Sequence, residues 1–97
     1  MQQRNIKIRG NRVIKKVNIV SPNGEVFSGD ASSVLVPGSL GQMTILPKHA
    51  AILSSLSKGT ITVNSEDGKN TDFVIDSGFI ENKDDSLTII VEGFAKN

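Results

Sequence analysis

His49 is the only histidine of this 97-residue chain and is the residue best suited to acid-base or metal chemistry. The chain has no cysteine, which excludes a Cys-His pair, a disulfide and a thiolate metal site. One histidine is also too few for a His-rich zinc site. A Ser-His-Asp triad would need a serine on a nucleophile elbow, and the sequence contains no such motif. We therefore interpret His49 either as a structural residue whose ring bonds a loop carbonyl and closes the Pro47 turn, or as a polar contact at a protein interface.

Two further patterns could bind phosphate or a cation, but both are typical of turns. The segment Gly38-Ser39-Leu40-Gly41 lacks the spacing and the lysine of a phosphate-binding loop. The acidic pairs Glu66-Asp67 and Asp84-Asp85 lie in turn contexts, where carboxylates are usually solvated or bonded to nearby amides. The sequence thus predicts no catalytic residue, no metal site and no cofactor, and we expect a protein that is not an enzyme.

The run from Val36 to Ala50 must position these residues, because it holds two glycines, two prolines and the histidine within fifteen residues. Proline fixes φ near −65° and donates no hydrogen bond, whereas glycine supplies positive φ. The run therefore predicts short strands joined by sharp turns. A loop with a defined shape is better suited to binding a partner than a flexible loop.

Outside this run, apolar residues alternate with other residues at a period of two, as in strands with one face on a core. Tight-turn signals follow at intervals of about ten residues, among them Asn23-Gly24 and Asp67-Gly68. Residues 49–56 fit either a short helix or a buried strand, and we favour the strand because the segment is short. The sequence predicts an all-β fold, an antiparallel β-sandwich of about eight to ten short strands with little or no helix.

Charge divides the chain into a basic leader at residues 1–15, one domain at residues 16–92 and a tail at residues 93–97. The first sixteen residues hold six positive charges and no acid. Such a leader could bind nucleic acid or anionic lipid, add a strand through Ile6 and Ile8, or act as an organellar presequence, and we favour a solvated tail. No apolar stretch reaches the roughly twenty residues that a membrane-spanning helix needs.

Four ordered segments resemble the epsilon subunit of F-type ATP synthases, which is called delta in mitochondria. The pattern "VPG, two variable residues, G, a short apolar stretch, LP, one variable residue, HA" is matched by Val36 to Ala50. The family's opening strand and hairpin are matched by residues 17–29, a later turn by residues 56–59, and the step before the last strand by residues 77–81. The resemblance covers roughly residues 16–92.

The resemblance implies a non-catalytic rotor subunit that links the gamma subunit of the central stalk to the membrane ring and couples proton flow to ATP synthesis. Its partners would be the gamma subunit and the ring subunits, with no nucleic acid and no small-molecule substrate. It would lie peripherally on the cytoplasmic face of a bacterial inner membrane, or on the matrix side in an organelle. The residues implied are a ring-facing loop (Ser39, Leu40, Gly41, Gln42 and Met43), a stalk-facing edge (Ser21, His49 and Ser54) and structural turns (Pro37, Gly38, Pro47, Gly59 and Gly78).

The main departure from the family is that the sequence stops at Asn97 without the usual C-terminal helical hairpin. The sequence is then either a truncated form or a naturally short one, and we slightly favour the naturally short form; the autoinhibition attributed to that hairpin is not carried over. Gln42 stands where the family often has an acid, and Met43 could instead fill a gap in the core. The alternative function is a free-standing module that binds carbohydrate or peptide. It is disfavoured because the chain has no Trp or Tyr for an aromatic platform.

Overall fold

A computed structural model describes residues 13–93 and 95–96, and these residues form strands and no helix. Accordingly, no helix within those ranges could cross a membrane. Most of the predicted leader lies outside the described residues, as do residues 94 and 97 of the tail. The strands are β1 (Ile14–Ser21), β2 (Gly24–Ala31), β3 (Ser33–Gly38), β4 (Gly41–Ile45), β5 (Ile52–Leu56), β6 (Gly59–Asn64), β7 (Asn70–Ile75), β8 (Ser77–Lys83), β9 (Ser86–Glu92) and β10 (Ala95–Lys96).

The strands form one curled sheet in the order β10-β7-β6-β3-β5-β8-β9-β1-β2, with β4 added along β3. β3 joins two half-sheets, because Leu35 pairs with Thr62 of β6 and Gly38 pairs with Leu56 of β5. The halves pack face to face, so the predicted all-β sandwich is confirmed. β1 and β9 run parallel, whereas the other described pairings are antiparallel. The favoured strand in residues 49–56 is also present, as β5.

The strand directions give the sandwich two poles. One pole carries the turns at residues 39–40, 22–23 and 57–58, and we call it the Leu40 pole. The other carries the turns at residues 84–85 and 65–69 together with the loop at residues 46–51, and we call it the His49 pole. β1 spans the two poles, because Lys15 lies beside the residue 84–85 turn and Ser21 lies at the hairpin to β2.

The core fills the space between the half-sheets with the alternating apolar residues that the period of two predicts. Ile61 and Val63 of β6, Phe73 and Ile75 of β7, and Leu87, Ile89 and Val91 of β9 are all buried. The rings of Phe27 and Phe73 meet edge to face, with centroids 6.2 Å apart. β1 departs from strict alternation at a register irregularity between Ile14 and Val17, and as a result both side chains are buried.

Candidate functional site

The β3–β4 hairpin presents the most exposed apolar side chain of the described residues. Gly38 pairs with Gly41, which leaves Ser39 and Leu40 as the two residues of the turn. Leu40 is fully exposed, with a relative accessibility of 103%. The turn is nevertheless anchored, because the Ser39 amide donates to the Ser55 carbonyl oxygen at 3.0 Å. The two seryl Oγ atoms also lie 2.7 Å apart. The chain therefore holds an apolar side chain in solvent on a fixed support.

Gln42 and Met43, which follow this turn, differ in their exposure to solvent. Gln42 is exposed on β4, an outermost strand of the described sheet that pairs only with β3. Met43 is half-buried and packs against the core, in agreement with its core-filling alternative. A shallow groove of about 570 Å³ beside the hairpin is lined by Gln42 and by residues of β3 and β6. Contact with a ring stays a prediction for Ser39, Leu40, Gly41, Gln42 and Met43, and Leu40 is the member of the set that is best placed for contact.

His49 lies on a turn that backbone and neighbouring strands hold in place. Its amide donates to the Leu46 carbonyl oxygen at 3.1 Å, and Lys48 at the third turn position has a φ of 65°. Proline second and positive φ third are features of a type II turn. The exposed imidazole makes no hydrogen bond with a described residue. The prediction that the ring closes the Pro47 turn is therefore wrong, because the backbone closes it.

Two side chains from the β8–β9 hairpin hold the same loop. Asn82 is buried, and its Nδ2 donates to the carbonyl oxygens of His49 and Ala50, each at 3.3 Å. Asp85 accepts from the Lys48 amide at 3.1 Å through Oδ1 and from the Lys15 amide at 3.2 Å through Oδ2. The Asn82 Oδ1 accepts no hydrogen bond from the part of the chain that is described. At the His49 pole, the side chains of Asn82 and Asp85 thus hold the loop by hydrogen bonds to its backbone amides and carbonyl groups.

The three residues of the predicted stalk-facing edge do not converge. Ser21 lies at the Leu40 pole and His49 lies at the opposite pole. Ser54 lies between the poles on β5, opposite Ile80 of β8, and is half-buried. Any surface that uses all three residues must extend over the length of the half-sheet.

Of the five residues predicted to form structural turns, one lies in a turn and four lie in strands. Pro47 lies in a turn, whereas Pro37 and Gly38 lie in β3, Gly59 begins β6 and Gly78 lies in β8. The reason for glycine at the strand positions is close packing. A Cβ at Gly38 would lie 2.6 Å from the Gly41 carbonyl oxygen. A Cβ at Gly59 would lie 2.8 Å from Pro37 Cβ, and a Cβ at Gly78 would lie 2.7 Å from the Ile90 carbonyl oxygen.

A second exposed apolar surface covers the solvent side of β1, β9, β8 and β5. Val20, Ile90 and Phe79 are cross-strand neighbours in one row, and Leu53 lies in the next row. Leu53 is 67% exposed, Ile90 51% and Phe79 42%. We call these four residues the outer apolar face. A contiguous exposed apolar patch commonly marks an interaction site.

The sequence-based prediction missed this face because it assigned only one buried side to each strand. The signal was present as pairs of adjacent apolar residues, which break strict alternation. Ile52 precedes Leu53, Phe79 precedes Ile80, and Ile90 stands between two apolar neighbours. In each pair one residue enters the core and the other must face solvent or a partner.

Comparison with known proteins agrees on one kind of subunit. Residues 15–97 match the family model described as the β-sandwich domain of the ATP synthase delta/epsilon chain. The chain is similar to the ATP synthase epsilon chain of a Sulfurovum species, with 39% identity over 80 residues. It is also similar to the epsilon chain of a Nitratiruptor species, with 42% identity over 78 residues. These matches include 82% and 80% of this chain but only 62% and 60% of the two relatives.

Solved structures share the fold at lower sequence identity. A chain of the Euglena gracilis mitochondrial ATP synthase superposes with a TM-score of 0.77 at 20% identity, covering 82% of this chain and 51% of that one. A chain of the Tetrahymena thermophila mitochondrial ATP synthase, in a structure of its central stalk and ring, gives a TM-score of 0.72 at 19% identity. That match covers 84% of this chain and 65% of the other.

Proposed function

The chain belongs to the delta/epsilon chain family of ATP synthases, whose β-sandwich domain matches residues 15–97, and on that premise we propose that it is a non-catalytic rotor subunit. In this role it binds the gamma subunit of the central stalk, contacts the membrane ring and helps to couple proton flow to ATP synthesis. It is then held peripherally at the membrane through its complex, on the cytoplasmic side in a bacterium. A rotor clamp of this kind needs binding surfaces and no nucleophile.

The observation that carries the proposal is the outer apolar face. Leu53, Phe79 and Ile90 lie on three neighbouring strands and expose apolar surface to water. Soluble monomers rarely expose large contiguous apolar patches, whereas a permanent subunit buries such residues against its neighbour. Large apolar side chains at the centre of a patch usually supply most of the affinity at an interface. We therefore assign the outer apolar face to the gamma subunit. Ser54 lies outside this face, because it follows Leu53 on β5 and pairs with the buried Ile80 on the core side of the sheet.

We assign the Leu40 pole to contact with the membrane ring. It ends in an exposed leucine that the Ser39–Ser55 contacts hold in position. The outer apolar face lies along the side of the half-sheet, whereas Leu40 lies at its end, so the two surfaces can bind different partners at once. This separation is what a subunit between a stalk and a ring requires.

The test is co-expression with the gamma subunit of the same organism, followed by size-exclusion chromatography. We expect one co-eluting complex, and we expect Leu53→Asp to abolish co-elution without loss of fold, because Leu53 is exposed. Ser65→Asp, on the other half of the sandwich, is the matched control and should co-elute normally. Two separate peaks for the unmodified pair at micromolar concentration would remove the clamp function.

The ring contact is tested separately in the assembled enzyme. Leu40→Asp should leave the complex with the gamma subunit intact, because Leu40 lies outside the outer apolar face. It should reduce proton pumping per ATP hydrolysed in membrane vesicles. Unchanged coupling would withdraw the ring from this proposal and leave the assignment of the gamma subunit in place.

A further inference from the structure

Glu81 places a carboxylate within the outer apolar face. It lies on β8 directly opposite Leu53 of β5 and opposite Thr88 of β9. Phe79 is two residues earlier on the same strand, and alternate residues of a strand share one face. The carboxylate is therefore surrounded by side chains that a partner of this face must cover.

The charge of Glu81 is not neutralised by the described part of the protein. The exposed Glu81 side chain makes no hydrogen bond or ion pair with any described residue. Lys83 lies two residues further on the same face, yet no ion pair joins it to Glu81. In the free protein, water solvates this carboxylate at little cost.

A partner that covers the face removes that water. Burial of an unpaired carboxylate is strongly unfavourable, whereas a hydrogen-bonded cation offsets much of the loss of hydration. Arginine suits the position best, because its planar guanidinium binds a carboxylate through two hydrogen bonds and its stem packs on apolar groups. Arginine is also enriched at interface cores, where lysine is depleted.

Building on the proposed function, we propose that the gamma subunit presents an arginine to Glu81 and that this pair determines how the two proteins are aligned. Contacts among Leu53, Phe79 and Ile90 supply affinity, but apolar contact has little directional preference. A two-point hydrogen-bonded pair within that patch fixes one orientation. Glu81 is thus the specificity residue of the surface.

The experiment measures the affinity of the full chain for the purified gamma subunit by titration calorimetry. Glu81→Gln should weaken binding by about tenfold or more, because it leaves the partner's cation buried without its counter-charge. Glu81→Asp keeps the charge and should recover part of that loss. Asp72→Asn makes the same change of charge on β7, in the other half-sheet, and should bind like the unmodified chain.

Three outcomes are informative. Loss of affinity in Glu81→Gln but not in Asp72→Asn supports the pair, especially if the variant is also less sensitive to salt. Equal affinity for both variants, with binding still abolished by Leu53→Asp, overturns the pair and leaves the proposed function standing. Normal binding by Leu53→Asp would show that the gamma subunit does not use this face; the assignment of the face and the Glu81 pair would then fall, whereas binding to the gamma subunit would stand.

Discussion

The substitution Gly38→Ala tests the close packing that supports the exposed hairpin. A methyl group at Gly38 would lie 2.6 Å from the Gly41 carbonyl oxygen and 3.0 Å from Met43 Cε, whereas ordinary contacts of a Cβ begin at 3.4 Å. The oxygen belongs to the backbone of the paired strand, so relief requires that β3 and β4 move apart. Overpacking of this kind costs about 1–3 kcal/mol.

A second effect of the same substitution acts in the opposite direction. Replacing glycine by alanine restricts the unfolded chain and stabilises the folded state by about 0.4–1 kcal/mol where the native backbone accepts alanine. The net loss of stability should then be about 1–2 kcal/mol. For a domain of this size, each kcal/mol shifts the melting temperature by about 4–8 °C. We therefore expect Tm to fall by roughly 5–15 °C.

Gly29→Ala is the matched control, because the nearest atom to its Cβ would be Phe27 Cζ at 3.7 Å. The entropic term is the same in both variants, so the difference between their unfolding free energies in urea isolates the steric term. We expect Gly29→Ala to be neutral or slightly stabilising. If Gly38→Ala matched its stability within about 0.5 kcal/mol, the hairpin would have room to adjust and the packing argument would be refuted.

Three further predictions concern the loop at the His49 pole. Lys48→Gly should raise the free energy of unfolding by about 0.5–1 kcal/mol, because relief of about 1–2 kcal/mol of strain at the φ of 65° outweighs the greater freedom of glycine in the unfolded chain; an equal or lower Tm would contradict this. Asn82→Ala should lower it by about 1–3 kcal/mol, because two carbonyl oxygens lose their donor, and urea unfolding would measure the loss. Asp85→Ala should cost about 2 kcal/mol and Asp85→Asn less, since asparagine keeps one acceptor oxygen for one of the two amides and tolerates the φ of 62°; calorimetric Tm values in the reverse order would exclude a stabilising role for the Asp85 hydrogen bonds to the amides of Lys15 and Lys48.

The sequence was sufficient to predict the sandwich because its core follows local rules. The alternation at Leu87, Ile89 and Val91 identifies one buried face without knowledge of the neighbouring strand. The parallel pairing of β1 with β9 could not be predicted in this way. It depends on contacts between Lys16–Val20 and residues about seventy positions later, and no local pattern specifies them.

The candidate site was predicted less completely for a related reason. Leu40 could be identified as exposed because a two-residue turn between glycines leaves its side chain no core to enter. Asn82 could not be identified as buried, since its burial depends on carbonyl groups that a distant loop brings to it. The side of the sheet that Phe79 faces could not be predicted either, because it follows only from the burial of its neighbour Ile80.

The two proposed docking surfaces are joined by one short structural route, which bears on how a rotor subunit could transmit force. Ser39 is next to Leu40, and its amide and hydroxyl bind Ser55 of β5. Ser55 in turn lies opposite Phe79 on the outer apolar face. If the protein acts as the proposed rotor subunit, these hydrogen bonds would carry a displacement of Leu40 to that face. The polar Ser39–Ser55 contacts tie the solvent-exposed turn to the strand beside it.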